Sequence, residues 1–155
     1  MFIDQAITHI PTGKPHIVAG QIHGGDDDII VIRLEGSTLY VNVDGSNEEV
    51  LEANYELGTR FTVKFQAGDG MISIYYNGST TPAHTINDNG SSNYFKAGAY
   101  TQANCSNAEP CSDDNYGEVI VYHLNVRHGT ELNEAPTILV TSPTINSVLS
   151  TGSPI

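Results

Sequence analysis

The sequence predicts an all-β domain built from two antiparallel sheets packed face to face. Three observations carry that prediction. Apolar residues recur with period two in one short run after another. Asp-Gly and Asn-Gly pairs, which suit tight hairpin turns, separate several of those runs. No stretch of ten or more residues shows the 3.6-residue repeat of an amphipathic helix.

The elements follow in order. Residues 5–12 alternate, with Ala6, Thr8 and Ile10 opposite Ile7 and His9, and stop at Pro11-Thr12-Gly13. Residues 16–23 form the next strand and end in Gln21-Ile22-His23. Gly24-Gly25-Asp26-Asp27-Asp28 then breaks the pattern; the oxygen-ligand spacing of a calcium loop is missing, so a solvated turn is expected. Residues 29–34 set Ile30, Ile32 and Leu34 against Ile29, Val31 and Arg33, and residues 38–43 set Leu39, Val41 and Val43 against Tyr40 and Asn42. After the Asp44-Gly45 turn an irregular acidic segment is expected from Glu48 to Gly58. Residues 60–65 bury Phe61, Val63 and Phe65; Asp69-Gly70 turns the chain, and residues 71–77 return it to Asn77-Gly78. A loop is expected over 79–93; its Asn87-Asp88-Asn89-Gly90-Ser91-Ser92 run reads as mobile, and loops over a sandwich groove often act as lids. The last strand, 117–127, alternates Glu118, Ile120, Tyr122, Leu124 and Val126 with Val119, Val121, His123 and Asn125.

Composition narrows the function classes. The 155 residues suffice for one domain with an adequate core. The chain has 18 acidic residues against six lysines and arginines, a net charge of -12, which excludes the clustered cations that a nucleic-acid phosphate backbone requires. No apolar run is long enough to span a membrane, and Met1-Phe2-Ile3-Asp4 lacks the basic start and apolar core of a signal peptide. Cys105 and Cys111, with five residues between them in a polar loop, form a disulfide candidate that points to an oxidising compartment; free thiols are the alternative. His9, His16, His84, His123 and His128 show no metal-ligand spacing and read as structural or surface residues.

The stretch Tyr94-Phe95-Lys96-Ala97-Gly98-Ala99-Tyr100-Thr101-Gln102 is different in kind. As a strand it turns Tyr94, Lys96, Gly98, Tyr100 and Gln102 to one polar face, with a bare glycine in the middle where a ligand can approach the backbone. Gln21 and His23 likewise share a face, opposite Ile22. Two such strands side by side can line a groove for a polar substrate.

Both stretches resemble the alginate lyases of polysaccharide lyase family 7, in which a Gln-(Ile/Val)-His strand lies beside a Tyr-Phe-Lys-Ala-Gly-x-Tyr-x-Gln strand. The second motif matches at every defined position, and the resemblance covers roughly residues 8 to 128. It implies a concanavalin-like β-jelly roll with both strands on its concave face, and a lyase that cleaves 4-O-linked uronates by β-elimination without a cofactor. On matching positions, His23 and Tyr100 become the catalytic pair, and Gln21 and Lys96 the substrate-binding residues. The Gln-Ile-His version tends to accompany cleavage at guluronate-containing stretches. The implied partner is alginate, with no nucleic acid and no membrane, and the expected location is secreted and extracellular, from a bacterium, with the periplasm or the cell surface as the alternatives.

Two features depart from the family. The Arg-(Ser/Thr)-Glu-(Leu/Val)-Arg strand that precedes Gln-Ile-His in family members is absent; Gly129-Thr130-Glu131-Leu132-Asn133 lacks both arginines and lies after the last strand. Residues 1–128 thus read as a partial jelly roll lacking its N-terminal strands. Such a sandwich exposes a sheet edge, for which the missing segment or a second copy of the chain is the expected partner. Residues 129–155, rich in Ser, Thr and Pro, read as a linker and the truncated start of a following, immunoglobulin-like domain. The alternatives to an alginate lyase are a polyuronate-binding jelly roll without catalysis and a lyase for another polyuronate such as glucuronan.

Overall fold

The computed structural model describes residues 1–113 and 115–129. The expectation of a linker and a further domain falls, from residue 130 onward, outside them. Ten strands form two five-stranded antiparallel sheets. In chain order they are β1 Phe2–His9, β2 His16–His23, β3 Asp28–Glu35, β4 Thr38–Val43, β5 Ser46–Glu52, β6 Arg60–Gly68, β7 Met71–Tyr76, β8 His84–Asn87, β9 Tyr94–Tyr100 and β10 Glu118–Asn125. One sheet runs β10-β1-β6-β7-β8, the other β5-β4-β3-β2-β9.

Alternation builds the core between them. Ile30, Ile32 and Leu34 of β3 and Leu39 and Val41 of β4 face Phe61, Val63 and Phe65 of β6 and Ile72 and Ile74 of β7, all at or below 1% exposure. Each such side chain contributes about 1.5–3 kcal/mol by leaving water. Two hairpins close where the sequence marks them: Asp44-Gly45 and Asp69-Gly70 each place two successive residues at positive φ, the requirement of a tight hairpin turn, and Asn77-Gly78 does so at the start of the longer β7–β8 connection.

Four expectations are corrected. The acidic segment begins as a strand: β5 pairs with β4, and its residues, exposed but for Leu51, lie at the sheet's edge, where backbone pairing rather than apolar burial holds them. The 79–93 loop contains β8, paired with β7 through four residues. The first strand begins at Phe2 and ends at His9, because Phe2 and Ile3 pair with both β6 and β10. In β10 the clean alternation fails: a register shift opposite Asp4 and Gln5 lets Val119, Val121, Leu124 and Val126 all pack on the core.

On one side of the sandwich both sheets end in strands with no outer neighbour among the described residues, β9 and β10. An opening of about 670 Å³ lies there, lined in part by the core residues Ile22 and Phe65 and by Phe95, Arg127 and His128. Ile22 and Phe65 are themselves 1% exposed, so the opening lies beside a core that stays buried.

Candidate active site

β2 and β9 are antiparallel neighbours, and their register brings the two sequence motifs together row by row. His23 lies opposite Tyr94, Gln21 opposite Lys96, and Val18 opposite Tyr100. What aims the first motif is a β-bulge. Ile17 and Ala19 face the core, and so do Gly20 and Ile22, so the strand slips phase between Ala19 and Gly20. A Cβ on Gly20 would sit 2.8 Å from the Ile3 side chain. Beyond the slip, Gln21 and His23 turn to the outer face, where Val18 already points.

The result is a cleft of about 410 Å³ on the outer face of the β5-β4-β3-β2-β9 sheet. Gln21, His23, Lys96 and Tyr100 line it, with Val18, Gly20 and the Ala97-Gly98-Ala99 backbone as floor and Asp27 and Asp28 at one side. Gly98 sits at φ +134°, which side-chain-bearing residues rarely adopt, and open space lies where its Cβ would be. The bare middle read from the sequence is thus also a backbone requirement.

Each polar group has a distinct environment. The His23 Nδ1 lies 2.6 Å from the carbonyl oxygen of Gly24. A carbonyl only accepts, so Nδ1 carries a proton, and the neutral ring keeps its lone pair on Nε2. The His23 ring packs 5.2 Å from that of Tyr94, over which the Lys96 ammonium also lies at 5.2 Å. Gln21 is 5% exposed, whereas Tyr100 is 56% exposed on the open edge strand. Six residues of β9 separate the rows of His23 and Tyr100, roughly 15–20 Å of backbone. Gln21 and Lys96 form the row between them.

Arg33 of β3 is engaged within the fold. Its guanidinium donates to His16 Nδ1 at 2.8 Å, and its Nε lies 2.7 Å from Glu35 Oε1, close enough for ion pairing though too bent for a hydrogen bond. Burial, joined by the charge of Arg33, holds the His16 pKa below its ordinary value against the pull of Glu35, which fits a neutral ring accepting from arginine. Gln102 leaves the strand at φ +54°, and its carbonyl accepts from Lys14 Nζ at 3.1 Å. That anchor follows Tyr100 by two residues. The Cys105–Cys111 disulfide closes the loop that comes next, and Asn115 ties its far end to Thr12 and Gly13.

Asp27 and Asp28 are what the sequence reading missed. The turn it expected exists, closed by Gly24 N–H donating to Asp27 O at 2.7 Å. Yet Asp28 begins β3 opposite His23, and both residues line the cleft. Only the register of β3 on β2 reveals this.

Comparison with known proteins agrees with the geometry. A sequence model described as alginate lyase matches residues 1–128. No curated protein matches. Among solved structures, an alginate lyase from Corynebacterium sp. is 49% identical with TM-score 0.78, over 83% of this chain and 57% of that one. The alginate lyase AlgAT5 of polysaccharide lyase family 7 is 52% identical with TM-score 0.77, over 83% and 58%. A truncated AlyQ with CBM32 and alginate lyase domains is 32% identical with TM-score 0.65, over 78% and 39%. The chain thus spans less than three-fifths of the length of these relatives. With the family model covering most of its residues and two family members sharing about half its sequence in the same jelly-roll fold, the chain belongs to the family 7 alginate lyases.

Proposed function

We propose that this chain carries the cleft of an alginate lyase that cleaves 4-O-linked uronates by β-elimination, with His23 and Tyr100 catalytic and Gln21 and Lys96 binding substrate. The observation that carries the reading is the register: two family motifs, 75 residues apart from Gln21 to the lysine that faces it, Lys96, meet in adjacent rows of one cleft.

The chemistry assigns the roles. The base takes H5 as a proton, the C5–H electrons form the C4=C5 double bond, and the C4–O bond breaks with its electron pair on the departing oxygen, which an acid protonates. Charge builds on the C6 carboxylate as H5 leaves, so fixed donors there lower the barrier. The Gln21 amide and the Lys96 ammonium, facing each other, supply such donors. Tyr100 is an exposed phenol that can protonate the leaving oxygen, and can serve as base as well when H5 and O4 lie on the same side. His23, with Nε2 free, lies one row from Gln21 and Lys96 and not beside Tyr100, so its part is at the carboxylate, which it neutralises once protonated. Cleavage favouring guluronate-containing stretches is part of the proposal on the strength of Gln21-Ile22-His23, and secretion on that of the disulfide.

The test is ultraviolet absorbance of the unsaturated uronate during incubation with polyguluronate and with polymannuronate, for this chain and its Tyr100→Phe variant. Absorbance should grow faster on polyguluronate, and the variant should reduce it by at least about 100-fold. Alginate binding without growth would instead favour the non-catalytic module, and growth that survives in the variant would remove Tyr100 from the reaction.

A further inference from the structure

The cleft is electrically lopsided. Lys96 and the Gln21 amide occupy its middle row, whereas Asp27 and Asp28 stand at the His23 end. The two aspartates are held in place: Asp28 N–H donates to Asp27 Oδ1 at 2.8 Å, and the Asp27 carbonyl closes the turn onto Gly24. The ion pairs among the described residues are Arg33–Glu35 and Arg60–Asp4, so neither aspartate is neutralised by a lysine or arginine. His23 is the titratable group opposite Asp28 across the strand pair, and Lys96 and Tyr100 are the others lining the cleft.

A polyuronate carries one carboxylate on every sugar. A chain lying in the cleft with one carboxylate on Gln21 and Lys96 therefore brings further carboxylates along its length. Those placed beside the exposed Asp27 and the half-buried Asp28 meet like charge, which salt screens. Hydroxyls placed there instead donate to a carboxylate.

We propose that Asp27 and Asp28 are specificity-determining residues: a filter that rejects a substrate carboxylate at the His23 end and accepts a hydroxyl edge, so that the polyuronate settles in one position along the cleft. The inference rests on the reading of the cleft as a polyuronate site. Partial burial, then a hydrogen bond with the Asp27 side chain ahead of its charge, raises the Asp28 pKa.

The experiment measures alginate affinity by calorimetry with the full chain, in a Tyr100→Phe background that stops turnover. Asp27→Asn with Asp28→Asn is compared with the parent at low salt and at about 1 M salt, where the screening length falls to about 3 Å. An asparagine oxygen can still accept from the residue-28 N–H, so the turn is retained. At low salt the double variant should bind about three- to tenfold more tightly, and at high salt the two should bind alike. Unchanged or weaker binding at low salt, or a gain that persists at high salt, overturns the filter while leaving the cleft's assignment intact. Absence of alginate binding in both proteins would sink the polyuronate reading itself, and the filter with it.

Discussion

On the outer face of the β10-β1-β6-β7-β8 sheet the cations have partners. Arg60 lies against the Asp4 carboxylate and 4.4 Å from the centre of the Tyr122 ring, and Lys64 lies 3.6 Å from the centre of Tyr75. On the outer face of the other sheet the cleft groups are left open: Lys96 sits 5.2 Å from the Tyr94 ring, the His23 Nε2 has no partner among the described residues, and Tyr100 is 56% exposed. Both sheets have five strands and obey the same alternation. The difference teaches where binding capacity lies: a donor already bonded within the fold has little left for a ligand, whereas one held in place but unbonded is preorganised.

The largest test of this contrast is a pair of substitutions, one per face. His23→Ala should lower kcat/KM on polyguluronate by about 100-fold, while Arg60→Ala should leave it within about twofold, by initial rates of absorbance growth. Equal losses would erase the contrast. The matched lysines come next. Lys96→Ala should raise KM about tenfold and flatten its dependence on salt, because the attraction being screened is gone; Lys64→Ala should do neither.

The same contrast shows what the sequence can and cannot disclose. The polar faces of β2 and β9 were legible because His23, Gln21, Tyr94, Lys96 and Tyr100 stand at alternate positions within their own motifs, and alternation is local. The bulge at Ala19 and Gly20 was not. It comes from fitting β2 to two neighbours at once, with Gly20 against Ile3 and Phe65, residues distant in the chain. The same holds for Tyr122 and His123, where the register with β1 breaks an alternation that looks regular in the sequence. β5 was hidden for another reason. Its Glu48, Glu49 and Glu52 have weak strand propensity, and only the pairing supplied by β4 makes them a strand. Asp27 and Asp28 read as a solvated turn because nothing in three successive aspartates tells which way the chain will fold back.

Two glycines extend the comparison to the backbone. Gly98 in the cleft and Gly68 at the end of β6 both have open space where a Cβ would be, but only Gly98 is at positive φ. Gly98→Ala should therefore destabilise the fold by about 1–3 kcal/mol, read by urea denaturation. Gly68→Ala should stabilise it by about 0.4–1 kcal/mol, since it narrows only the unfolded ensemble. A stabilising Gly98→Ala would mean that the bare middle of β9 is kept for substrate alone.

The smallest effect lies on the partnered face, in its pH dependence. Hydrogen bonding from Arg60, ahead of its charge, holds the Asp4 pKa below the ordinary carboxylate value, against the opposing effect of burial. A depressed carboxyl pKa means that the unfolded chain binds the proton first as the pH falls. The pair's contribution is therefore fully present above the unfolded-state value of about 3.9 and is lost as the pH drops through the lower folded-state value. Because the Arg60 side chain is 58% exposed, solvent screens the pair and the contribution is small. Asp4→Asn should lower the urea midpoint slightly at pH 7 and leave no difference from the parent at acid pH, while kcat/KM at pH 7 stays unchanged. A fall in activity together with the midpoint would show that the two faces are coupled through the core, since Asp4 is flanked along β1 by Ile3 and Gln5, both buried between the sheets.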